Sequence, residues 1–234
     1  MKKLILKLKY SGLGDHLLHS HLPRIAKQFG GYGKVYISNH SAYRDVQTKE
    51  LVWELNPFVD GFTNKDAEYK QAGNPHQNMN LLDKVMLVNG MDDDLQFHEP
   101  EIYYVPKIIP ELKDAIIFDP NFGTKIGHPT SQEVQRFLYA SNIKVTHQMT
   151  LRNNHNPIEC DLSLCSANLK HFCDIIVSCK QLICFHTGTA ALAAALNIPV
   201  MVLINGEADP RFKHSRIVKY ITLKKGHNVL QLQR

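Results

Sequence analysis

The stretch that decides the fold is Phe185-His186-Thr187-Gly188-Thr189-Ala190-Ala191-Leu192-Ala193-Ala194-Ala195-Leu196, followed by Asn197-Ile198-Pro199-Val200. A strand ending at Phe185 leads into a Thr/Gly turn and then into a helix whose consecutive alanines allow close packing on a sheet. Residues 200–204 predict the next strand. Strand, turn, helix and strand in this order are typical of a parallel sheet covered by helices.

The same alternation occurs in both halves of the 234-residue chain. Further strands are predicted at residues 4–10, 34–38, 58–62, 81–88, 115–119, 142–145 and 182–185. One helix is predicted after Gly14, with its apolar residues at Leu18, Leu22, Ile25 and Phe29. A second helix is predicted to begin near residue 131, after a capping box formed by Thr130 and Glu133. Further helices are predicted at residues 45–55, 169–178 and 190–196. Two prolines within residues 103–114 indicate a linker. We therefore predict an α/β chain of two Rossmann-like domains, 1–106 and 107–234.

Composition narrows the class of protein. The apolar fraction of 44% is enough for buried cores, and 27 Lys and Arg against 22 Asp and Glu give a formal charge of +5. The excess of basic residues is compatible with an anionic ligand, but it does not distinguish a nucleotide from a lipid headgroup or a nucleic acid. Five cysteines without a C-x-x-C pair indicate reduced thiols rather than zinc ligands or disulfides. We expect a cytoplasmic chain with no transmembrane segment, peripheral to the membrane at most.

A first candidate site is the turn Gly12-Leu13-Gly14-Asp15, between a predicted strand and a predicted helix. Its glycines let the backbone approach a ligand, and the free N–H groups of a helix start attract anions. Leu17 replaces the third glycine of a dinucleotide fingerprint, and Asn39 stands where that fingerprint needs an acid, which disfavours NAD or FAD. Asp15 has two interpretations: it caps the helix, or it takes a proton from an acceptor hydroxyl.

Three histidines follow this turn, at positions 16, 19 and 21. Only His16 and His19 share a helix face, so a metal site is disfavoured and we interpret the histidines as polar lining.

The second candidate site is the turn at Thr187, Gly188 and Thr189. Two hydroxyls and the N–H groups of a helix start suit a diphosphate. The alternative is an ordinary turn in which one of the threonines caps the helix.

Three stretches together resemble the heptosyltransferases, glycosyltransferase family 9. They are Gly14-Asp15-x-Leu17-Leu18 with Pro23, then Leu55-Asn56-Pro57-Phe58-Val59-Asp60, then the Thr187-Gly188 helix with Leu192-Ala193-Ala194-Ala195-Leu196. The resemblance implies a GT-B fold, an acceptor-binding first domain and a nucleotide-sugar-binding second domain. It also implies inverting, metal-independent transfer without a cofactor, to a saccharide or a lipid-linked saccharide.

The resemblance also assigns residues. Asp15 becomes the candidate general base, and Gly12, Gly14 and His16 become acceptor contacts. The implied donor contacts are Asn121, Lys125, His186, Thr187, Gly188 and Thr189.

The chain departs from the family at three points. His186 replaces an Asp, Ala191 replaces a His, and the chain is roughly a hundred residues shorter than many relatives. Two alternatives therefore stay open: a non-catalytic nucleotide-sugar-binding module, and a glycosyltransferase whose acceptor is a modified base in DNA.

Overall fold

The structure is a computed structural model that describes residues 1–73, 79–122, 128–150, 155–206 and 218–223. The chain divides into two compact units, and the boundary along the sequence falls between Val105 and Pro106. Both units are α/β, and all of their described strand pairs within sheets are parallel. The predicted α/β class with parallel sheets is confirmed.

Unit 1 contains a sheet of order β1-β2-β3. Its elements are β1 (Lys2–Leu6), α1 (Leu13–Leu17), α2 (Leu22–Gln28), β2 (Tyr32–Ser38), α3 (Val46–Lys49), a π-helical turn (Glu50–Glu54), β3 (Phe62–Thr63) and α4 (Leu81–Val88). In the second halves of β1 and β2, alternate residues are apolar and buried: Leu4 and Leu6 in β1, and Val35 and Ile37 in β2. One face of each strand therefore forms the core under the helices.

Three predictions for unit 1 are wrong. The strand expected at residues 58–62 begins only at Phe62, because Asn56 accepts from the N–H groups of Phe58 and Val59 and holds the preceding residues in a turn. The single helix expected after Gly14 is two helices, separated by a turn at residues 18–21, with Pro23 in the first turn of α2. Residues 81–88 are a helix rather than a strand, because Asn80 accepts a hydrogen bond from the Asp83 N–H and caps its start. A short apolar run is compatible with either structure until its cap is recognised.

Unit 2 contains a six-stranded sheet of order β6-β5-β4-β7-β8-β9. Its elements are a 3₁₀ turn (Pro110–Leu112), β4 (Ile116–Asp119), α5 (Ser131–Ala140), β5 (His147–Met149), β6 (Ser163–Leu164), α6 (Leu169–Ser178), β7 (Gln181–Phe185), α7 (Gly188–Ala195), β8 (Val200–Asn205) and β9 (Val218–Leu223). Residues 182–185 and 200–204 are buried throughout. Such continuous apolar strands are typical of a sheet covered on both faces.

Most of the predicted elements of unit 2 are confirmed, including the capping box of Thr130 and Glu133 and a helix at Leu169–Ser178. The strand predicted at residues 142–145 is wrong. Asn142 has a φ of 51°, a left-handed conformation that ends the α5 region in a turn, and β5 begins only at His147.

A buried histidine of unit 1, His98, lies between two carboxylates. Its Nδ1 is 2.6 Å from Asp83 Oδ1, and its Nε2 is 3.1 Å from Asp93 Oδ2. Because a carboxylate only accepts hydrogen bonds, both ring nitrogens must carry hydrogen. The hydrogen bond to Asp83 accordingly raises the pKa of His98 above its usual value. His21 stacks on this ring with centroids 5.4 Å apart, and burial holds the pKa of His21 well below its usual value.

We expect the free energy of unfolding to decrease as the pH rises through the pKa of folded His98, because the charged ring is stabilised only in the folded state. The contribution should be complete below the ordinary histidine pKa of 6.5. Denaturant unfolding over a pH series measures it. Asp93→Asn should flatten the dependence and cost about 1–3 kcal/mol on the acidic side. The exposed Asp94→Asn is the matched control, and equal pH profiles for the wild type and Asp93→Asn would contradict the assignment.

Candidate functional site

The strand order of unit 2 determines where a ligand site is expected. From β4 the chain proceeds outward to β5 and β6, and it then returns to place β7 on the other side of β4. The carboxyl ends of β4 and β7 therefore flank the topological switch point, where open α/β sheets bind ligands. The turn from β4 carries Asn121, and the turn from β7 carries His186, Thr187 and Gly188. Lys125, the charged donor contact expected from the sequence, lies outside the described residues.

Asp119, which sequence reasoning missed, connects these two turns. Its Oδ1 accepts hydrogen bonds from the backbone N–H of Asn121 at 3.1 Å and from Asn121 Nδ2 at 2.8 Å. Its Oδ2 accepts from Thr189 Oγ1 at 2.7 Å, and both Asp119 and Thr189 are buried. The only sequence signal was an acid at the end of an apolar strand. The buried carboxylate fixes the start of α7 relative to the end of β4.

The two threonines at the start of α7 have different roles. Thr189 uses its hydroxyl hydrogen for Asp119, so this hydroxyl has no hydrogen left for a phosphate oxygen. Thr187 is the N-cap and accepts from the Thr189 N–H at 3.3 Å, which leaves its own hydroxyl hydrogen available. Within the described chain, the N–H of Gly188 has no acceptor either. Thr187 and Gly188 are therefore the groups able to donate to an anion.

Two other sequence-predicted donor contacts are held by neighbours in unit 2. Asn121 Nδ2 donates to Asp119 Oδ1 and, at 3.0 Å, to the carbonyl of Thr150, which uses both hydrogens of the amide. His186 is half-buried and packs edge-on against Tyr220, with centroids 5.7 Å apart. Asn121 thus holds the turn, while His186 stays a proposed donor contact.

The turn of unit 1 places Asp15 at the third position of α1, not at its N-cap. The N-cap is Gly12, and the Asp15 carboxylate is turned back towards it. Burial raises the pKa of Asp15, and the facing N–H groups of Gly12 and Asp15 and the Arg44 guanidinium offset only part of this effect. A carboxyl group with a raised pKa is suited to accept a proton near neutral pH.

His16 has a structural role, contrary to the expected acceptor contact. Trp53 Nε1 donates to His16 Nδ1 at 2.8 Å, and because an indole nitrogen can only donate, the hydrogen of the ring lies on Nε2. That Nε2–H donates to the carbonyl of Ala42 at 2.9 Å. With the ring fully buried and both nitrogens occupied, burial lowers the pKa of His16 to about 4. We therefore leave His16 out of the proposed acceptor site.

His19 and the motif at residues 55–60 also support the fold. His19 Nδ1 donates to the carbonyl of Asp15 at 2.8 Å. Asn56 Nδ2 donates to the carbonyl of Ser20 at 3.2 Å. Asp60 accepts from the Val35 N–H and pairs with Lys27 and Lys34, and these contacts outweigh burial and lower its pKa. In the described part of the chain, no group of three His, Cys, Asp or Glu side chains is arranged to hold a metal ion.

Comparison with solved structures shows which known folds this chain is similar to. The iron-containing dodecameric glycosyltransferase TibC from enterotoxigenic E. coli H10407 matches with a TM-score of 0.62 and 13% identity over 93% of this chain. The glycosyl transferase family 9 protein of Veillonella parvula DSM 2008 matches 96% of this chain and 86% of its own, with a TM-score of 0.60 and 11% identity. The E. coli ADP-heptose LPS heptosyltransferase II matches 94% of this chain and 90% of its own, with a TM-score of 0.58 and 14% identity.

These similarities confirm the predicted fold, a GT-B-like pair of parallel α/β units, and its likeness to the heptosyltransferases. The chain spans 62% of the length of TibC. No protein-family model and no curated protein sequence matches the chain. Among the described residues, no helix is long and apolar enough to cross a membrane.

Gly12→Ala tests the orientation of Asp15. An added Cβ would lie 2.7 Å from Asp15 Oδ2, and because Gly12 has an ordinary extended φ of −70°, the clash alone is probed. In the wild type, the hydrogen bond from the Gly12 N–H lowers the pKa of Asp15. The displaced carboxylate should lose this hydrogen bond, so the pKa of Asp15 should rise further. Carboxyl ¹³C chemical shifts over a pH titration measure it. Ser11→Ala is the control. An unchanged Asp15 pKa in Gly12→Ala would mean that the orientation of the carboxylate does not depend on the missing side chain at Gly12.

Proposed function

We propose that the protein is a glycosyltransferase that moves a sugar from a nucleoside-diphosphate donor to a hydroxyl of a saccharide or lipid-linked saccharide. The observation that carries the proposal is the start of α7, where the Thr187 hydroxyl and the Gly188 N–H have hydrogens to donate at the switch point of unit 2. Such a helix start favours a diphosphate through its N–H groups and its dipole. Two fold neighbours support the nucleotide assignment: TibC was solved with ADP-D-β-D-heptose, and the E. coli heptosyltransferase WaaC with ADP.

In this proposal unit 1 supplies the base. Asp15 takes the proton of the acceptor hydroxyl, the acceptor oxygen bonds to the anomeric carbon, and the bond from that carbon to the diphosphate oxygen breaks with inversion. Thr187, Gly188 and His186 would stabilise the departing diphosphate. A cavity of about 140 Å³ in unit 1, lined in part by His19 and Tyr69, offers space for part of the acceptor.

A non-catalytic nucleotide-sugar-binding module is the second candidate. Ala191 favours it, because this position, where the sequence resemblance leads us to expect a histidine, is a buried part of the α7 core with 1% exposure. Incubation with a panel of nucleotide sugars, followed by detection of released nucleotide and of glycosylated acceptor, separates the two. Binding of a nucleotide sugar without hydrolysis or transfer would favour the module, and absence of any nucleotide binding would exclude both.

Asp15→Asn should reduce transfer by about 100-fold or more while leaving folding nearly intact, because the amide keeps the shape of the carboxylate but cannot take the proton. Single-turnover rates with saturating donor measure the effect. Asp92→Asn, an exposed change in the same unit, is the matched control. A folded Asp15→Asn variant with wild-type turnover would reduce Asp15 to a structural role.

Thr187→Val should weaken ADP binding by roughly 10- to 150-fold, the effect of losing one hydrogen bond to a charged group. Thr187→Ser keeps both the hydroxyl donor and the helix cap and should restore affinity, which assigns the loss in Thr187→Val to the hydroxyl rather than to the change of side chain. Thr189→Val is the second comparison: it leaves Asp119 short of one donor, so it should lower the melting temperature more than the affinity. Calorimetric titration with ADP measures the affinity of each variant, and thermal unfolding measures its melting temperature. A larger affinity loss in Thr189→Val than in Thr187→Val would contradict the assignment.

A further inference from the structure

The indole of Trp53 is directed at His16, the residue that follows Asp15 in α1. Trp53 lies in the π-helical turn after α3, where the Leu55 N–H donates to the Glu50 carbonyl, five residues back, at 3.1 Å. An α-helix pairs residues four apart, so this turn is wider than the helix before it. Trp53 is fully buried, and its Nε1 donates to His16 Nδ1 at 2.8 Å. The wide turn therefore directs a group that can only donate at the ring beside Asp15.

Only one form of the His16 ring satisfies both of its hydrogen-bond partners. The indole requires an acceptor at Nδ1, and the Ala42 carbonyl, 2.9 Å from Nε2, requires a donor there. The other neutral tautomer would place two hydrogens against each other at Trp53 and two lone pairs at Ala42. A charged ring would also place a hydrogen opposite the indole. Burial favours the neutral ring as well and, with the neighbouring His19, outweighs the attraction of Asp45, which lowers the pKa of His16 to about 4.

The segment that accepts from His16 is itself tied to the end of the first strand region. The Ala42 N–H donates to the Leu8 carbonyl at 2.9 Å. Tyr43 stacks on the His16 ring with centroids 4.9 Å apart. Because α1 has only five residues, its own hydrogen bonds hold it weakly, and the anchored His16 ring fixes its orientation. Asp15 is carried on this short helix, one residue before the anchor.

We propose that Trp53 is a positioning residue for the base: through His16 it sets the direction of the Asp15 carboxylate and keeps a positive charge away from it. This inference rests on the proposed function, in which Asp15 takes the proton of the acceptor hydroxyl. An imidazolium beside a carboxylate favours the charged carboxylate and so makes it a weaker base. The neutral His16 ring leaves Asp15 with the raised pKa that burial gives it.

Three further groups face Asp15 in unit 1. Burial raises the pKa of Asp15, and the Arg44 guanidinium, which keeps its charge, offsets part of this rise. His19 donates to the Asp15 carbonyl at 2.8 Å, and burial lowers the pKa of His19 to about 4. Burial also raises the pKa of Tyr69. These groups keep one charge state near neutral pH, so they do not mask a change of charge at His16.

NMR spectra of the wild-type chain provide the first test. The chain has a single tryptophan, so the Nε1–H resonance of Trp53 is assigned directly. It should show a coupling across the hydrogen bond to His16 Nδ1, and the ring nitrogens should report the Nε2–H tautomer. An Nδ1–H tautomer or a charged His16 at neutral pH would overturn the inference.

Trp53→Phe is the decisive variant, because it keeps a buried aromatic ring and removes the N–H. His16 Nδ1 then lacks its donor and takes up a proton more readily. The carboxyl of Asp15 moves together with Gly12, so its pKa should fall towards its ordinary value of 3.8 as burial decreases and His16 gains charge. The transfer rate, with the donor and acceptor that the nucleotide-sugar panel identifies, should fall by about 10- to 100-fold. The affinity for ADP, which binds unit 2 in our proposal, should not change.

Two further variants separate positioning from stability. Asn80→Ala removes the cap of α4 in the same unit, and it should lower the melting temperature without changing the Asp15 pKa or the transfer rate. His16→Gln replaces the ring by an amide that has no charged form. In the double variant Trp53→Phe/His16→Gln, the transfer rate should be no lower than in the slower single variant, since Trp53 acts through His16.

The inference is overturned if folded Trp53→Phe keeps the wild-type Asp15 pKa and transfer rate, or if the losses of the two single variants add in the double variant. A shifted Asp15 pKa in Trp53→Phe, in a protein whose Asp15→Asn variant still transfers sugar at the wild-type rate, contradicts the proposed base instead. In a wild type that transfers nothing, the proposed function fails, and the Asp15 pKa in Trp53→Phe decides the positioning role alone.

Discussion

The buried hydrogen bond from Thr189 Oγ1 to Asp119 Oδ2, 2.7 Å long, is the contact on which the unit 2 site depends. It links the end of the central strand β4 to the first turn of α7, across 70 residues of sequence. A buried carboxylate is costly unless its oxygens accept hydrogen bonds, and here Asn121 supplies the remaining donors. The bond holds the first turn of α7, which includes Thr187 and Gly188, next to the end of β4, so its loss should destabilise unit 2.

Unit 1 is stabilised differently, because its described sheet has only three strands and fewer of its apolar side chains are buried than in unit 2. Buried polar side chains that are hydrogen-bonded to one another and to the backbone connect its helices and loops instead. His16 connects Trp53 to the segment at Ala42, and Ser20 accepts from the N–H of Glu101 at 2.7 Å. Satisfied buried networks of this kind stabilise one arrangement of the chain, since each unpaired member would cost its full desolvation. The turn that presents Asp15 is held by these contacts.

The parts of the fold that follow from local patterns could be predicted, and those that follow from distant partners could not. The helix Leu169–Ser178 and the Thr130 capping box depend on residues that are close in sequence. The break between α1 and α2 depends on a distant partner, because it places His16 against Trp53, 37 residues further along the chain. The site divides in the same way. Thr187 and Gly188 lie on a recognisable strand, turn and helix, whereas the role of Asp119 appears only when separate segments are brought together.

The motifs that resemble the heptosyltransferases separate, in the structure, into supporting residues and residues able to do chemistry. Asn56 and Asp60 bind backbone groups and lysines of unit 1, so their presence reflects the fold more than the reaction. In unit 2, by contrast, the anion-binding capacity of the α7 start comes from a backbone N–H and one hydroxyl. A backbone N–H does not depend on the side chains at positions 186 and 191, so the substitutions His186 and Ala191 leave this capacity in place. In the proposed donor site they would bear instead on which donor is held, since a histidine beside the proposed diphosphate position adds a group whose charge and hydrogen bonding differ from those of an acid.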